Sequence, residues 1–244
     1  MKTRQFPKFL AIIPARSGSK GIKHKNIKPF CGRPLIYYAI KEALKCKKLG
    51  RVIVSTDSPQ YGKIAKSFGA EVPFLRPRHL AGDKSPMVDT VTHLLKRLKE
   101  EENYEPDYLV LLQTTSPLRT YKDIEKCIDL ALSRKYDGVV SLCPTEQLLY
   151  TIENGFLKLL HKKDWLSSTN RQSLPATYKL NGAAVYIIKT STFLRNKSFL
   201  KGKIAPYIMG KWRSVDLDNE EDFALAELIY RSKNKMLRGQ TGLA

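Results

Sequence analysis

Two patterns of apolar residues alternate along the first half of the chain and predict strands and helices in turn. Short, nearly continuous apolar runs predict buried strands, whereas apolar residues three and four positions apart predict helices. The predicted strands cover residues 8–14, 51–56, 72–75, 107–113 and 138–143, and the predicted helices cover residues 34–48, 58–68, 86–102 and 121–134. Because this alternation is typical of βαβ units, we expect an α/β, Rossmann-like fold with a largely parallel sheet flanked by helices.

The pattern changes between about residues 144 and 180. Two short segments, residues 150–153 and 156–161, flank the pair Asn154-Gly155, which is a strong signal for a two-residue hairpin. We interpret this part as a β-rich arm outside the main sheet, suited to contact a second copy of the chain. The remaining predicted elements, which complete a single domain over residues 1–244, are strands at 181–188 and 214–217 and a helix at 219–236.

The composition is that of an ordinary globular protein, with 42% hydrophobic and 27% charged residues. No apolar run approaches the roughly 18–20 residues of a membrane span, and the run at residues 9–13 is interrupted too early for a secretory signal. The four cysteines form no C-x-x-C pair and lack metal-ligand spacing to the four histidines. We therefore expect a cytoplasmic protein with reduced thiols and no membrane partner.

The formal net charge of +20 is concentrated near the start of the chain, where residues 1–50 hold thirteen Lys and Arg against one acid. Three interpretations remain open: solvated charge without a role, attraction of a small polyanion such as a nucleoside triphosphate, or binding of nucleic acid. No common nucleic-acid-binding signature is present, so no specific nucleic-acid partner is expected. A basic nucleic-acid-binding protein stays the alternative from a different class.

The loop after the first predicted strand carries the densest candidate chemistry. Residues 14–21 read PARSGSKG, and such loops at the carboxyl ends of strands bind ligands in open α/β sheets. The two glycines would let backbone amides turn toward an anion. Their spacing fits neither a P-loop nor a dinucleotide fingerprint, and a solvated turn is the alternative. The cations that would neutralise a triphosphate are Arg16, Lys20 and Lys25.

Two later segments also place polar residues at strand ends. Residues 113–119, which read QTTSPLR, follow a buried strand and indicate either a site or a polar connection. Asp216 and Asp218 would lie on one face of the predicted strand at 214–217, about 7 Å apart at ~3.3 Å per residue. Such a pair can hold Mg²⁺, although Asp218 could instead cap the last helix with Glu221 as its partner.

Together these segments resemble the acylneuraminate cytidylyltransferases, which make CMP-sialic acid and related CMP-nonulosonic acids. The resemblance covers about residues 8–230, and the related Kdo cytidylyltransferases typically have KP where Lys25-Asn26 stands here. A nine-carbon acid is therefore favoured, with a Kdo-type enzyme as the alternative. The motifs, in family order, are PARSGSKG with KN, STD at 55–57, LRP at 75–77, TSPLR at 115–119, RQ-x-LP through NG at 171–182 and VDLD at 215–218.

The resemblance implies a Mg²⁺-dependent nucleotidyltransferase for cell-surface glycan biosynthesis. It would transfer CMP from CTP to the anomeric 2-hydroxyl of a nonulosonic acid and release pyrophosphate. A homodimer is also implied, in which the arm of one subunit reaches the sugar site of the other. The implied catalytic residues are Arg16, Lys25, Asp216 and Asp218, the last two as metal ligands; the implied nucleotide contacts are Ala15, Arg16, Gly18, Ser19, Lys20, Gly21, Lys25, Asn26 and Arg76; the implied sugar contacts are Gln113, Arg171, Asn181 and Tyr186.

Four residues depart from the pattern of sialate-specific relatives. Lys179 stands where Arg is frequent, Leu180 and Thr114 stand where Pro is frequent, and Tyr150 stands where some sialate enzymes have Lys. Lysine keeps the positive charge but loses bidentate recognition of a carboxylate. These departures leave the CTP chemistry as implied and leave the acid open among N-acetylneuraminic, legionaminic, pseudaminic and other nonulosonic acids.

Overall fold

Strand β1 is almost continuously apolar, and it lies between β5 and β4 inside the sheet, where both of its faces are buried. A computed structural model of the chain describes residues 6–19, 21–133, 136–146, 149–154, 156–159 and 175–240. The strands are β1 (Phe9–Pro14), β2 (Pro29–Phe30), β3 (Arg33–Pro34), β4 (Arg51–Ser55), β5 (Tyr108–Leu111), β6 (Gly138–Pro144), β7 (Tyr150–Glu153), β8 (Phe156–Leu159), β9 (Tyr178–Leu180), β10 (Tyr186–Lys189) and β11 (Ile204–Ile208). The helices are α1 (Leu35–Lys45), α2 (Pro59–Ser67), α3 (Met87–Glu102), α4 (Tyr121–Leu132), α5 (Thr190–Asn196) and α6 (Glu220–Gln240).

The main sheet has seven strands in the order β11-β6-β10-β5-β1-β4, with β9 added alongside β6. Strand β1 pairs in parallel with β4 and β5, and β11 pairs in parallel with β6, whereas β10 is antiparallel to both of its neighbours. The predicted Rossmann-like fold with a largely parallel sheet is therefore confirmed. In this arrangement the carboxyl ends of β1, β4 and β5 lie at one edge, where ligands of such sheets bind.

Two hydrophobic layers cover the faces of the sheet, and a third cluster supports the loops. Phe9, Ala11 and Ile13 face the layer that includes α1 and α4, while Leu10 and Ile12 face the layer that includes α3. This alternation follows from the two-residue period of a strand. The third cluster joins α6 to the loops beyond the sheet edge through residues such as Ile22, Phe30, Leu118, Leu217 and Phe223.

Two predicted strands were wrong. Residues 72–75 form no strand, and the neighbouring Glu71 makes only an isolated bridge to Ile53. Pro73 supplies no N–H to a ladder, which explains the weak pairing. Residues 214–217 are also not a strand: the backbone of Leu217 is satisfied by the Thr115 carbonyl and the Lys25 ammonium rather than by a neighbouring strand. The strand predicted at residues 181–188 is present but shorter, because β10 begins only at Tyr186.

Strand β11 and helix α5 were not predicted. The sequence of β11 contains Pro206, which weakens a strand signal but is tolerated at the edge position that β11 occupies. Helix α5 begins with Thr190, Ser191 and Thr192, residues with low helix propensity, and its formation depends on packing of the buried Phe193. Both elements therefore depend on tertiary contacts more than on local pattern.

The predicted hairpin is confirmed, since β7 and β8 pair antiparallel with Ile152 opposite Leu157. Gly155, residues 160–174 and with them the predicted sugar contact Arg171 lie outside the described residues, so the arm is described only in part. Within the described ranges, none of the helices combines the length and apolar character needed to cross a bilayer.

Candidate active site

A cleft opens at the carboxyl ends of β1, β4 and β5, where the first loop, the loop after β5 and the aspartate segment meet. Its volume is about 330 Å³. It collects six of the eight described residues that the sequence assigned to the nucleotide, because parallel strands end at a common sheet edge. The residues lining this nucleotide cleft are Pro14, Arg16, Ser19, Gly21, Lys25, Asn26, Arg76, Met87, Gln113, Thr114, Thr115, Asp216 and Asp218.

Side chains from two other loops hold the first loop in place. The backbone N–H of Ser17 donates to Asp57 over 2.8 Å and its hydroxyl donates over 2.6 Å. Thr114 donates to the amide oxygen of Asn26 over 2.5 Å, and the Asn26 amide donates to the Arg16 carbonyl over 2.8 Å. The buried Asn26, predicted to contact the nucleotide, is therefore also a brace of the loop. Such bracing pre-orders a loop for an anion.

Two cations of this loop have defined partners in the cleft. The Arg16 guanidinium forms an ion pair with Asp83 at 2.8 Å, and both side chains are partly exposed. The Lys25 ammonium donates to the Leu217 carbonyl over 2.6 Å, which places its charge beside the aspartate pair. Ala15 is buried and Gly18 faces open space, while Lys20 lies outside the described residues.

Arg76 lies at the inner end of the cleft and is 5% exposed. It donates to the Ser55 carbonyl and, over 3.3 Å, to the Thr90 hydroxyl, while its Nε has no hydrogen-bond partner among the described residues. Burial lowers the pKa of Arg76 to about 10, against the effect of nearby Asp57. The guanidinium is thus held in a fixed orientation at the wall of the nucleotide cleft.

Asp216 and Asp218 lie in an extended segment held closely between two loops. Leu217 is buried between them and its N–H donates to the Thr115 carbonyl over 2.9 Å, which turns both carboxylates toward the cleft. A Cβ added to Gly182 would lie 2.2 Å from the Asp216 carboxylate, and one added to Gly21 would lie 2.4 Å from the Asp218 carbonyl. Only glycine fits these two close approaches.

The aspartate pair has the properties expected of cation ligands. Burial raises the pKa of Asp216 and the neighbouring Asp218 raises it further, while the side chain of Thr115 and the charge of Lys25 oppose the shift. The Oδ1 atom of Asp216 is buried without a hydrogen-bond partner among the described residues. A buried carboxylate oxygen without a donor is costly and fits a site that binds a hard cation. The donor set is therefore suitable for Mg²⁺.

The alternative role of Asp218 as a helix cap was wrong. Asn219 caps α6, because its side chain accepts from the Asp222 N–H over 2.9 Å and the Asp222 carboxylate accepts from the Asn219 N–H over 3.2 Å. This reciprocal pair is a capping box shifted by one residue from the predicted one. The Asp218 side chain is consequently left free of the helix terminus.

The three predicted sugar contacts that the structure describes lie in different surroundings, and Arg171 lies outside the described residues. Gln113 lines the nucleotide cleft, but Tyr186 is buried in the layer around α3, where burial raises its pKa to about 12. Asn181 is 1% exposed, and its amide accepts from Ser141 and donates to Ser214 over 3.2 Å. Asn181 is thus a brace that also lines a second cavity beside Asp216, whereas Tyr186 is part of the core around α3.

Arg119 closes the TSPLR motif and is fully buried. Its guanidinium donates to the Ala184 carbonyl over 2.8 Å and to the Gln113 carbonyl, linking the loop after β5 to the segment before β10. Burial lowers the pKa of Arg119 to about 9, with Glu42 and Asp123 acting in the opposite direction. The segment is both part of the cleft and a connection. Thr114 and Thr115 line the cleft, and Arg119 holds their loop in place.

A second cavity of about 550 Å³ adjoins the same aspartate pair. Sequence reasoning did not single out most of its residues, since they come from the ends of β6 and β9, the 3₁₀ turn after β11 and the start of α6. Asp216 and Asp218 line both cavities and stand at their junction. The residues lining this second cavity are Cys143, Pro144, Thr145, Glu146, Lys179, Leu180, Asn181, Lys211, Ser214, Val215, Asp216, Asp218, Asp222 and Leu225.

The sheet thus brings a basic glycine-containing loop and an aspartate pair to one edge, which is where open α/β sheets bind nucleotides. The comparisons with known proteins agree. The chain belongs to the cytidylyltransferase family, whose family model matches residues 10–236. The resemblance found in the sequence motifs is thereby confirmed.

The similar proteins include an N-acylneuraminate cytidylyltransferase and a CMP-N,N'-diacetyllegionaminic acid synthase. An N-acylneuraminate cytidylyltransferase of Escherichia coli O18:K1:H7 is 37% identical over 232 residues, which cover 93% of this chain and 53% of that protein. A CMP-N,N'-diacetyllegionaminic acid synthase of Legionella pneumophila is 32% identical over 235 residues, covering 94% and 99%. The chain thus spans about half the length of the first relative and nearly all of the second.

A solved structure supports the fold independently of these sequences. The CMP:2-keto-3-deoxy-manno-octonic acid synthetase in complex with CTP superposes with a TM-score of 0.68, covering 93% of this chain and 99% of that one. The two sequences are only 15% identical, so the likeness concerns the fold.

Proposed function

We propose that the chain transfers CMP from CTP to the anomeric 2-hydroxyl of a nonulosonic acid and releases pyrophosphate. The proposal rests mainly on one observation: Asp216 and Asp218 line both of two adjoining cavities. A transferase needs its donor and its acceptor on either side of one reacting centre. The nucleotide cleft would hold CTP and the second cavity would hold the acid.

The residues of the nucleotide cleft suit a triphosphate. Arg16 and Lys25 would offset the negative charge that grows on departing pyrophosphate, and the braced first loop would fix its oxygens. Binding of CTP would have to replace the Arg16–Asp83 ion pair with contacts to phosphate. Arg76, a cation held in a fixed orientation at the wall of the cleft, suits an oxygen of the base. Catalysis would then consist mainly of positioning and electrostatic stabilisation.

We propose Mg²⁺ as the cofactor, with Asp216 and Asp218 as its protein ligands. The buried, unsatisfied oxygen of Asp216 and the close approach of Gly182 to its carboxylate support this choice. When bound, Mg²⁺ would polarise phosphate oxygens and lower the pKa of a coordinated hydroxyl. Lys25 lies beside the pair and would limit the repulsion between the two carboxylates before the metal binds.

The identity of the acid is supported only to the level of its class. The relatives named for N-acylneuraminate and for diacetyllegionaminic acid are 37% and 32% identical to this chain, whereas the 3-deoxy-octonic acid synthetase is 15% identical. A nonulosonic acid therefore has more support than Kdo. The CMP-linked product would be the activated donor for glycan synthesis, and the four free cysteines suit a reducing cytoplasm.

The test is pyrophosphate release with CTP, Mg²⁺ and a panel of acids: N-acetylneuraminic, N,N'-diacetyllegionaminic, pseudaminic and Kdo. We expect release with at least one nonulosonic acid, coupled to formation of its CMP derivative by mass spectrometry. Excess EDTA should abolish the reaction and added Mg²⁺ should restore it. Turnover of Kdo alone, or turnover that survives EDTA, would contradict the proposal.

We further propose a homodimer formed through the arm. The hairpin exposes two large apolar side chains, with Ile152 73% and Phe156 77% exposed, and Trp212 near the second cavity is 65% exposed. Apolar groups this exposed on a short hairpin favour a protein interface. Light scattering after gel filtration should give twice the 27.8 kDa of the chain, and substitution of Ile152 and Phe156 by Ser should give 27.8 kDa. A monomeric unsubstituted chain at micromolar concentration would contradict this.

A further inference from the structure

Thr114 stands where the loop after β5 meets the first loop. Only 2% of the residue is exposed, and Thr114 lines the nucleotide cleft together with Asn26. The Thr114 hydroxyl donates to the Oδ1 atom of Asn26 over 2.5 Å, although the two residues are 88 positions apart in the sequence. One buried hydrogen bond between side chains therefore joins two loops that line the cleft.

The backbone on both sides of Thr114 is held in place by other parts of the chain. The Gln113 carbonyl accepts from the buried guanidinium of Arg119 over 2.5 Å. The Thr115 carbonyl accepts from the N–H of Leu217 over 2.9 Å. Because the residues before and after it are both anchored, Thr114 presents its hydroxyl to the cleft as a donor in a fixed position.

The orientation of the Asn26 amide follows from the chemistry of its two partners. The Arg16 carbonyl can only accept a hydrogen bond, so the amide nitrogen of Asn26 must face it, at 2.8 Å. The amide oxygen then faces Thr114, whose hydroxyl donates to it. An Asn amide has two N–H groups, and among the described residues only the Arg16 carbonyl accepts from this one. The second N–H is therefore available to a ligand in the nucleotide cleft.

Loss of the Thr114 hydroxyl would leave the Oδ1 atom of Asn26 as a buried acceptor without a donor, which is costly. The amide would turn toward solvent in the cleft, and its second N–H would move with it. We propose that Thr114 is a positioning residue, which orients the Asn26 amide so that the second N–H meets an oxygen of the nucleotide. This inference rests on the proposed function, because it takes CTP as the occupant of the cleft. Thr114 acts through Asn26 and not by touching the nucleotide.

The test is a double-mutant cycle on CTP binding, measured by isothermal titration calorimetry with Mg²⁺ and without an acid. Thr114→Val keeps the shape of the side chain and removes its donor, so the Kd for CTP should rise about tenfold. Thr114→Ser keeps the hydroxyl and should leave the Kd within about twofold. In an Asn26→Ala background, Thr114→Val should change the Kd by less than about twofold, because the residue through which Thr114 acts is gone.

Thr192→Val is the matched control, because Thr192 is also 2% exposed but belongs to α5 and lines neither cavity. It should leave the Kd for CTP unchanged. Thermal unfolding of each variant separates a folding defect from weaker binding, and Thr114→Ala replaces the Val variant if that one is unfolded at the assay temperature. A Kd unchanged by Thr114→Val, or raised equally with and without Asn26, would overturn the inference and leave the proposed function in place. An unsubstituted chain that binds no CTP would overturn both.

Discussion

Replacing Asp218 with Asn should lower kcat for CMP transfer by about 10³-fold or more, because metal ions contribute several kcal/mol and each ~1.4 kcal/mol is tenfold in rate. The Asp218 side chain is exposed and caps no helix, so the free energy of unfolding should change by less than about 0.5 kcal/mol. Asn keeps the size of the side chain and removes its charge. Pyrophosphate release under saturating CTP and acid measures the loss.

Asp129→Asn is the matched control for this prediction. Asp129 is an exposed acid on α4 that pairs with Lys48 and lines neither cavity. The same isosteric substitution there should leave turnover within about twofold, as expected of a surface residue away from the site. If Asp218→Asn retained near-normal turnover over a range of Mg²⁺ concentrations, the assignment of the metal to this pair would be wrong.

Replacing Gly182 with Ala should reduce CMP transfer by about 100-fold, since a misplacement of about 1 Å can cost that much. The new Cβ would lie 2.2 Å from the Asp216 carboxylate, far inside the ~3.5–4.0 Å optimum for non-bonded atoms, so the carboxylate must move. Gly182 also has φ +65, which costs an Ala residue roughly 1–2 kcal/mol. Steady-state kinetics should show the loss in kcat, and urea unfolding should show reduced stability.

Gly210→Ala provides the comparison for Gly182→Ala. A Cβ at Gly210 meets no atom within 4 Å, and its φ of −62 is ordinary for Ala. We expect normal kcat and unchanged or slightly higher stability there. Equal activity of the two variants would mean that Asp216 tolerates displacement and would contradict its role at the junction of the cavities.

The sequence predicted the central sheet well because its strands are buried on both faces. In β1, five consecutive apolar residues precede Pro14, and such a run has few other places to fold. The location of the basic loop and of the aspartate pair could also be predicted from the sequence, because the strand order and the motif order bring both to one edge of the sheet. The segment with Asp216 and Asp218 was nevertheless predicted as a strand, since an alternating sequence cannot reveal that Thr115 and Lys25 satisfy its backbone.

The acceptor side could not be predicted from the sequence in the same way. Asn181 is saturated by Ser141 and Ser214, which are 40 and 33 positions away, so its burial depends on contacts that no local pattern shows. Lys211 gave no signal either, because one more exposed lysine is ordinary in a chain of net charge +20. Only the fold places it in a cavity beside the aspartates.

A crystal structure of the chain with CTP and Mn²⁺, with the metal located by anomalous scattering, would show directly whether the aspartate pair binds the metal between the two cavities. We expect Mn²⁺ bound to Asp216 and Asp218, the triphosphate against Arg16 and Lys25, and the α-phosphate facing the second cavity. Manganese bound elsewhere, or CTP outside the nucleotide cleft, would contradict the claim that the two cavities form one active site around this pair.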